Sequence, residues 1–232
     1  MSTDTMTTSR QGAIGSGQGR PGSLEARQLV QQARRGDDSA FEALVSHYHP
    51  RIYDYVARMV RDPVEAEDVA QEAFVRAYLA LPTFRGESSF QTWLYRIASN
   101  LAIDASRHRK RHQWQTVSFD EPLETDDMDS EMTRDLPDET SRSLADTVEA
   151  QEVREQVWEA ISELSDKLRS VVILHDLQGL AYDEIATALD CPLGTVKSRL
   201  FNARCQLRDK LRRRLPAEFF ADWGLTEASV TG

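Results

Sequence analysis

The residues whose types and spacing best suit chemistry form a basic stripe in the C-terminal third of the chain. Its members recur every three or four residues, as on one side of an α-helix: Lys197, Phe201, Arg204 and Arg208. The adjacent side of that helix is apolar: Val196, Leu200, Ala203, Leu207 and Leu211. Cations on such a helix can bind phosphates or guanine edges in the major groove of DNA, and an exposed ring can contact a thymine methyl. The alternative is an amphipathic helix with a solvated basic side.

The segment before this stripe predicts a shorter helix and a tight turn. The apolar side of the shorter helix consists of Ile185, Ala186 and Leu189. Because Pro192 lacks a backbone donor and Gly194 permits a turn, that helix is expected to stop before them. Residues 182–208 therefore predict a helix-turn-helix, which places its second helix in the major groove.

The sequence lacks the motifs of an enzyme or of a metal site. It contains no nucleotide-binding glycine loop, no serine-nucleophile motif and no carboxylate-rich metal loop. Its two cysteines, Cys191 and Cys205, lack the paired spacing of a zinc site. His108 and His112 have a metal-like spacing, but the three cationic residues between them would repel a metal ion and no third ligand is apparent. We therefore expect a protein that is not an enzyme and that needs no cofactor.

The net charge of -10 is concentrated in one segment. Residues 117–150 contain two basic and twelve acidic residues, whereas the other segments are close to neutral. An acidic insert of this kind does not argue against nucleic-acid binding by the rest of the chain.

Composition and hydrophobic periodicity divide the chain into five segments. Residues 1–22 are rich in Ser, Thr, Gly and Gln and predict a disordered tail, and residues 216–232 predict a short C-terminal tail. Two helical domains are predicted over 23–116 and 146–215, joined by a flexible acidic linker over 117–145. The expected fold class is therefore all-α with two small domains. A polar N-terminus and the lack of an apolar run of about 20 residues predict a cytoplasmic protein without a membrane span or a signal peptide.

Capping residues predict where helices of the first domain begin. Ser39 is expected to cap one helix, and Asp62-Pro63 to begin the next. That second helix is expected to turn apolar residues inward: Val69, Ala73, Phe74, Ala77 and Tyr78.

A loop over 81–87 and a long helix follow. Ser88 or Ser89 is expected to cap this helix. Its predicted core stripe consists of Phe90, Trp93, Leu94, Ile97, Leu101 and Ala105. The helix ends in a basic run over 107–112, which complements the helix dipole. Because the run is longer than capping requires, a phosphate contact is favoured.

Three of these stretches together resemble one protein family. They are DPVEAEDVAQEAFVRAY at 62–78, FRGESSFQTWLYRIASNLAIDASRHRKR at 84–111 and YDEIATALDCPLGTVKSRLFNAR at 182–204. A helix-turn-helix alone occurs in other regulators, but the three stretches in this order are specific. Over about residues 40–214 the chain resembles the extracytoplasmic-function group of bacterial RNA polymerase sigma factors, which keep only the second and fourth sigma domains.

The resemblance implies two contacts for the first domain. The helix at 62–78 would dock on the basic clamp helices of core RNA polymerase through Asp68, Gln71 and Glu72. The loop and the long helix would receive a base flipped out of the -10 promoter element. Extruding a base costs roughly a few kcal/mol, which stacking on a ring and amide hydrogen bonds can offset. The implied -10 residues are Phe84, Arg85, Ser88, Ser89, Asn100, Arg107, Arg109, Lys110 and Arg111.

For the second domain the resemblance implies recognition of the -35 promoter element. The implied -35 residues are Thr195, Lys197, Ser198, Phe201, Asn202, Arg204 and Arg208. The family often has Arg at the positions of Lys197 and Asn202. Because Lys lacks the bidentate fork of Arg and Asn favours adenine, the preferred bases stay open.

The acidic linker has two interpretations. By resemblance it is a stand-in for RNA in the positively charged channel of the polymerase; otherwise it is a soluble tether. Its extended length of about 95 Å exceeds the distance of about 70 Å between promoter elements two helical turns apart. It is therefore long enough in either case.

The expected function is that of a sigma factor which binds core RNA polymerase, reads double-stranded -35 DNA and opens the -10 element as single strands. The two-domain plan also permits an anti-sigma factor as a partner. The alternatives are a helix-turn-helix regulator that acts without polymerase, and a sigma mimic that sequesters an anti-sigma partner. The basic residues at 107–112 and 197–208 argue against a mimic, which does not need them.

Overall fold

The described part of the chain folds into α-helices. The computed structural model describes residues 23–116 and 144–216, and within these ranges it contains eight α-helices and no strand. The first four are α1 (Ser23–Arg34), α2 (Asp38–Val60), α3 (Pro63–Ala80) and α4 (Phe90–Thr116). The other four are α5 (Leu144–Ser162), α6 (Asp166–Val172), α7 (Tyr182–Ala188) and α8 (Leu193–Leu211). The predicted all-α fold class is confirmed.

Helices α1–α4 come from the first predicted domain and α5–α8 from the second. A 3-10 turn, Leu81–Thr83, follows α3, and a π-helical turn, Ile173–Leu177, continues α6. The predicted N-terminal tail, most of the predicted acidic linker and most of the predicted C-terminal tail lie outside the described residues.

An aspartate marks the start of α2. Asp37 has an extended backbone, and its carboxylate accepts a hydrogen bond from the backbone N–H of Ala40 at 3.2 Å. The prediction of Ser39 as the cap was wrong, because Ser39 lies inside the helix and donates its hydroxyl to the Asp37 carboxylate at 2.6 Å. A charged carboxylate is the stronger acceptor for the free N–H groups of a first turn.

The predicted caps of α3 and α4 agree with the structure. The Asp62 carboxylate accepts from the first free backbone N–H groups of α3, and Pro63 occupies the first helical position. At α4 the hydroxyl of Ser89 accepts from the backbone N–H of Thr92 at 3.0 Å, so Ser89 rather than Ser88 is the cap.

Small residues allow α3 to pack closely against α2 and α4. Its buried side consists of Ala66, Ala70, Ala73, Phe74 and Ala77. The prediction that Tyr78 points inward was wrong, because 46% of this residue is exposed. Its hydroxyl donates to Asp38 at 2.7 Å and its ring contacts Phe41 edge-on, so Tyr78 covers the start of α2.

The buried side of α4 differs from the predicted stripe. Its most buried apolar residues include Leu94, Tyr95, Ala98 and Ala102. Four residues of the predicted stripe are only partly buried: Trp93, Ile97, Leu101 and Ala105. The shift has a tertiary cause, because α4 packs against α2 and α3 on one side and against α7 on another.

A left-handed residue makes the turn between α7 and α8. Asp190 has φ 48°, and the following backbone N–H, of Cys191, donates to the carbonyl of Ala186 at 3.0 Å. Pro192 precedes the first residue of α8. Gly194, expected in the turn, instead lies in the first turn of α8. An Asp can adopt this left-handed conformation, so the turn does not use Gly194.

The two domains contact each other through polar side chains of α4. Four of these contacts are Thr92 to Glu184 (3.4 Å), Tyr95 to Gln178 (2.8 Å), Arg96 to Asp190 (3.3 Å) and Ser106 to Asp166 (3.1 Å). Gln178 also donates to Asp54 of α2 at 2.8 Å. These contacts place α7 and the π-helical turn against the first domain.

A buried arginine closes the same interface near the end of α2. The Arg169 side chain is 4% exposed, and its pKa is lowered chiefly by burial. It donates to the carbonyls of Ser162 (2.5 Å) and Leu164 (2.9 Å) in its own domain, and to the carbonyl of Met59 (3.0 Å) in the other. One guanidinium group thus satisfies the ends of two helices.

Replacing this arginine should destabilise the protein. We expect Arg169→Leu to lower the free energy of unfolding by about 3 kcal/mol, because buried carbonyls lose their donor. Urea unfolding of the full chain, followed by circular dichroism, measures this. Arg154→Leu, at an exposed position of α5, is the control and should change stability by less than about 0.5 kcal/mol. Equal stability of the two variants would contradict the role of Arg169.

Candidate nucleic-acid interface

The basic stripe lies on the open side of α8. Val196, Leu200 and Ala203 are buried, as predicted for the apolar side. On the other side Phe201 is 68% exposed, and Lys197 and Arg204 are exposed. Within the described residues no other element covers this ring, so the stripe faces solvent. An exposed Phe between cations is expected on a surface that binds DNA. It is less expected on a face that contacts only water.

The other predicted -35 residues lie near the stripe. Ser198 and Asn202 are exposed, while Thr195 and Arg208 are half-buried. The Ser198 hydroxyl donates to the carbonyl of Thr195 at 3.1 Å, within the first turns of α8. Arg208 pairs with the adjacent Asp209 at 3.3 Å. The structure therefore brings all seven predicted residues onto one helix, with five of them exposed.

Arg204 is held in place before any DNA binds. Its guanidinium forms a 2.6 Å ion pair with Asp176 of the π-helical turn. The hydrogen bond to Asp176 is the main reason why the pKa of Arg204 is raised. The pair positions Arg204 beside the stripe, but a DNA phosphate or base has to compete with this carboxylate.

The acidic residues predicted on α3 form an exposed surface. Asp68, Gln71 and Glu72 are all exposed, as predicted. Gln71 donates to Glu67 at 3.1 Å, and Glu72 pairs with Arg76 at 2.8 Å. These pairs are local to α3 and leave its outer side uncovered within the described residues.

Three exposed apolar residues share this side of α3, and sequence reasoning missed them. Val64, Val75 and Leu79 are 74%, 53% and 71% exposed. At the helical spacing they interleave with Asp68 and Gln71. The signal was present in the sequence, because large apolar residues at 64, 75 and 79 fall on the same side as the acids. We call these six residues (Val64, Asp68, Gln71, Glu72, Val75 and Leu79) the α3 surface.

The predicted -10 loop contains one buried residue. Phe84 is buried, and its ring packs against Trp93 with centroids 4.8 Å apart and against Phe90 at 6.3 Å. Phe84 therefore packs between the loop and α4, and its ring is not open for a DNA base to stack on. Arg85 and Ser89 are exposed and Ser88 is half-buried.

Three of the predicted -10 residues on α4 are exposed and one links two helices, and the exposed Arg107 pairs with Asp104 at 3.7 Å. Asn100, Arg107 and Arg111 are exposed. Arg109 is engaged, because its guanidinium donates to the carbonyl of Val60 and pairs with Glu65. This arginine joins the end of α2 to the first turn of α3. The side chain of Lys110 lies outside what the structure describes.

The described helices offer neither a metal site nor a membrane span. Residues 23–116 and 144–216 contain no group of His, Cys, Asp and Glu that could hold a metal ion. Cys191 and Cys205 are free thiols. No helix in these ranges is long and apolar enough to cross a membrane.

Comparison with known proteins agrees with this geometry. The family model described as Sigma-70 region 2 matches residues 44–112, and the model described as Sigma-70, region 4 matches residues 154–207. The RNA polymerase sigma-H factor of Pseudomonas aeruginosa is 42% identical over 178 residues, which cover 77% of this chain and 89% of that protein. The ECF RNA polymerase sigma-E factor of Escherichia coli (strain K12) is 37% identical over 185 residues, which cover 79% of this chain and 93% of that protein.

This chain belongs to the extracytoplasmic-function sigma factors of the sigma-70 family. Region 2 coincides with α2–α4, and region 4 coincides with most of α5–α8, including the predicted helix-turn-helix. The function of this sigma factor is to bind core RNA polymerase and direct initiation at specific promoters.

Two solved structures share the fold of this sigma factor. CnrH, solved in complex with the cytosolic domain of CnrY, aligns with a TM-score of 0.59 and 22% identity, covering 82% of this chain and 99% of that one. The sigma factor RpoE from Bartonella quintana, solved in complex with the anti-sigma factor NepR, aligns with a TM-score of 0.55 and 22% identity, covering 74% and 96%. At this identity the likeness supports the fold alone.

Phe84 and Asn100 are predicted to differ in their contribution to stability, because Phe84 is buried and Asn100 is exposed. Phe84→Ala should lower the free energy of unfolding by about 3 kcal/mol, because it empties a site between aromatic rings. Asn100→Ala removes an exposed amide and should change stability by less than about 0.5 kcal/mol. Thermal unfolding of both variants measures the difference. Equal melting temperatures would show that Phe84 is not a core residue.

Proposed function

We propose that this sigma factor divides its work among three separate surfaces. The α3 surface binds core RNA polymerase, the exposed stripe of α8 reads the -35 element, and the loop before α4 with Asn100 holds an unpaired base of the -10 element. The observation that carries the proposal is the exposure of Phe201 between Lys197 and Arg204, which the fold leaves uncovered.

The α3 surface suits a basic protein partner. Exposed Val64, Val75 and Leu79 supply apolar area that is released from water on binding, and Asp68 and Glu72 supply the opposite charge. An apolar centre with charged neighbours is the usual composition of a protein interface. The basic clamp helices implied by the resemblance match this composition.

The α8 stripe suits duplex DNA. Its cations can bind phosphates or guanine edges, and the Phe201 ring can contact a thymine methyl. Arg204 has to exchange its carboxylate partner Asp176 for DNA, so its contribution to affinity is smaller than that of a free arginine. DNA sequences that place a hydrogen-bond acceptor close to Arg204 are therefore favoured over sequences that do not.

The -10 surface suits a single strand. Exposed Asn100 offers amide donors and an acceptor for a base edge, while Arg107 and Arg111 offer charge to the phosphates. Phe84 contributes by supporting the loop rather than by open stacking. Arg109 belongs to the scaffold through its pair with Glu65.

We also propose where this sigma factor acts and which kind of protein regulates it. It acts in the cytoplasm, where its polymerase is, and it has no enzymatic activity of its own. An anti-sigma factor is a proposed partner, supported by the structural neighbour RpoE from Bartonella quintana, which was solved in complex with the anti-sigma factor NepR.

In-vitro transcription tests the function as a whole. Core RNA polymerase is supplied with genomic fragments, with and without the full chain, and the transcript starts are sequenced. We expect chain-dependent starts that share two upstream elements. If the folded chain binds DNA but produces no such starts, the alternative of a regulator that acts without polymerase is favoured.

One substitution tests the α3 surface. Asp68→Lys should weaken binding to core polymerase about tenfold, because it opposes a basic partner. Glu42→Lys is the matched control, since Glu42 is an exposed acid of α2 outside the α3 surface. Fluorescence anisotropy with labelled full chain measures both affinities. Equal losses for the two variants would mean that net charge alone, and not this surface, determines binding.

Two substitutions on α8 test -35 recognition. Phe201→Ala combined with Arg204→Ala should weaken holoenzyme binding to the -35 duplex at least about tenfold, because an apolar and an ionic contact are lost. Affinity for core polymerase should stay within about twofold. Gln206→Ala, an exposed change on the opposite side of α8, is the control. A loss of polymerase binding in the double variant would contradict the division into separate surfaces.

A further inference from the structure

A cavity of about 690 Å³ lies beside the predicted -10 loop. It is lined by α1, by the middle of α2 and by the loop over 84–91, with residues 179, 180 and 184 of the second domain on its remaining side. Its volume lies in the range that holds small organic ligands. Helix α1 precedes residues 44–112, so neither the region 2 match nor the sequence motifs assign it any contact with DNA.

Arginines from three different elements line this cavity. They are Arg27 and Arg34 of α1, Arg51 of α2 and Arg85 of the loop. Among the side chains that the structure describes, none forms an ion pair with Arg27, Arg34 or Arg51. Arg85 has only a 3.9 Å contact with Glu87, and both side chains are at least 80% exposed. Four guanidinium groups around one opening, three of them without an ion pair there, favour binding of an anion.

The acidic side chains at the cavity do not neutralise these arginines. Glu184 lines it, but its carboxylate accepts from the backbone N–H of Ala181 at 3.0 Å and from the Thr92 hydroxyl at 3.4 Å. Glu87 extends into solvent. The charge of the cavity is therefore positive.

The floor of the cavity is largely apolar and contains one polar ring. Tyr48, Phe84 and Phe90 contribute buried aromatic rings to its lining. His47 also lines it, and within the described residues the buried Nε2 of His47 has no hydrogen-bond partner. Burial and then the nearby Arg51 lower the pKa of this imidazole, against a smaller opposing effect of Glu25, and the neutral ring can accept or donate a hydrogen bond at this nitrogen.

We propose that α1 and α2 form the phosphate-binding half of the -10 site, with Arg27, Arg34 and Arg51 binding the phosphodiesters that flank the unpaired base. The ligand is single-stranded DNA, whose alternating phosphates and bases match the arginines and the largely apolar floor of the cavity. This inference rests on the proposed function of the loop. It adds a helix outside the matched region to the DNA-binding surface, and His47 as a polar contact for the base.

Fork-junction binding by the holoenzyme tests the proposal. The probe is a labelled promoter fragment, chosen from the mapped transcript starts, whose non-template -10 strand is unpaired. Arg27→Gln and Arg51→Gln should each weaken binding about fivefold and reduce the slope of log affinity against log salt by about 0.7, the value for one lost phosphate contact on a single strand. Arg35→Gln is the matched control, because Arg35 is exposed and adjacent to Arg34 but does not line the cavity.

Neutral linkages in the DNA identify the phosphate. A methylphosphonate at the contacted position should weaken binding of the unaltered protein but cause little further loss with Arg51→Gln, because both changes remove the same contact. Arg51→Lys, which keeps the charge, should recover part of the affinity and guards against a folding defect in Arg51→Gln. Affinity for core polymerase and for -35 duplex should be unchanged in every variant.

Two results would overturn the inference. One is a loss with Arg27→Gln and Arg51→Gln no larger than that with Arg35→Gln. The other is that the loss of affinity from the arginine substitution adds fully to the loss from a methylphosphonate at every position. That result would indicate a general electrostatic effect rather than a contact with one phosphate. If the proposed function itself were wrong, the unaltered holoenzyme would not bind the fork or initiate at all. That outcome differs from a failure of the phosphate-binding inference alone.

Discussion

The burial of α4 on two sides is the constraint on which the rest of the structure depends. Leu94, Ala98 and Ala102 are fully buried, and α4 packs against α2, α3 and α7. The side toward α2 also contains a buried hydrogen bond between the hydroxyls of Tyr55 and Ser99, 2.8 Å apart. With two sides covered, the remaining side of α4 is the only one on which side chains such as Asn100 can be exposed within the described structure.

Helix ends are satisfied by two arginines that link distant segments. Arg169 binds the carbonyls at the end of α5 and the carbonyl of Met59, and Arg109 binds the carbonyl of Val60 and Glu65. Both arginines act at the end of α2, where carbonyl groups lack helical partners. The charge of each guanidinium strengthens these hydrogen bonds, so the ends of α2 and α5 are fixed relative to each other.

The contact between domains combines exchangeable polar bonds with apolar packing, because one buried core cluster includes residues of both domains. Tyr95 with Gln178 and Arg96 with Asp190 can each be replaced by bonds to water at a net cost of about 0.5–1.5 kcal/mol. The exposed surfaces on α3 and α8 lie on separate helices, so each can engage its partner without using the same side chains.

The sequence by itself determined the local features. Helix periodicity located the helices and the exposed stripe of α8, capping chemistry located the starts of α3 and α4, and three stretches in order indicated the family. These features depend on residues within a few turns of each other, so a pattern along the chain is enough. Asp37 in place of Ser39, and Asp190 in place of Gly194, show that the pattern narrows a cap or turn to a few residues without choosing among them.

Only the tertiary structure decided which side chains are free. Phe84 and Arg109 belong to predicted -10 segments, yet one is buried against Trp93 and the other pairs with Glu65. The cavity joins Arg27, Arg51 and Arg85, which no local pattern relates. The physical reason is that exposure and pairing depend on how helices far apart in the chain pack together, and on the distances that this packing sets between their side chains.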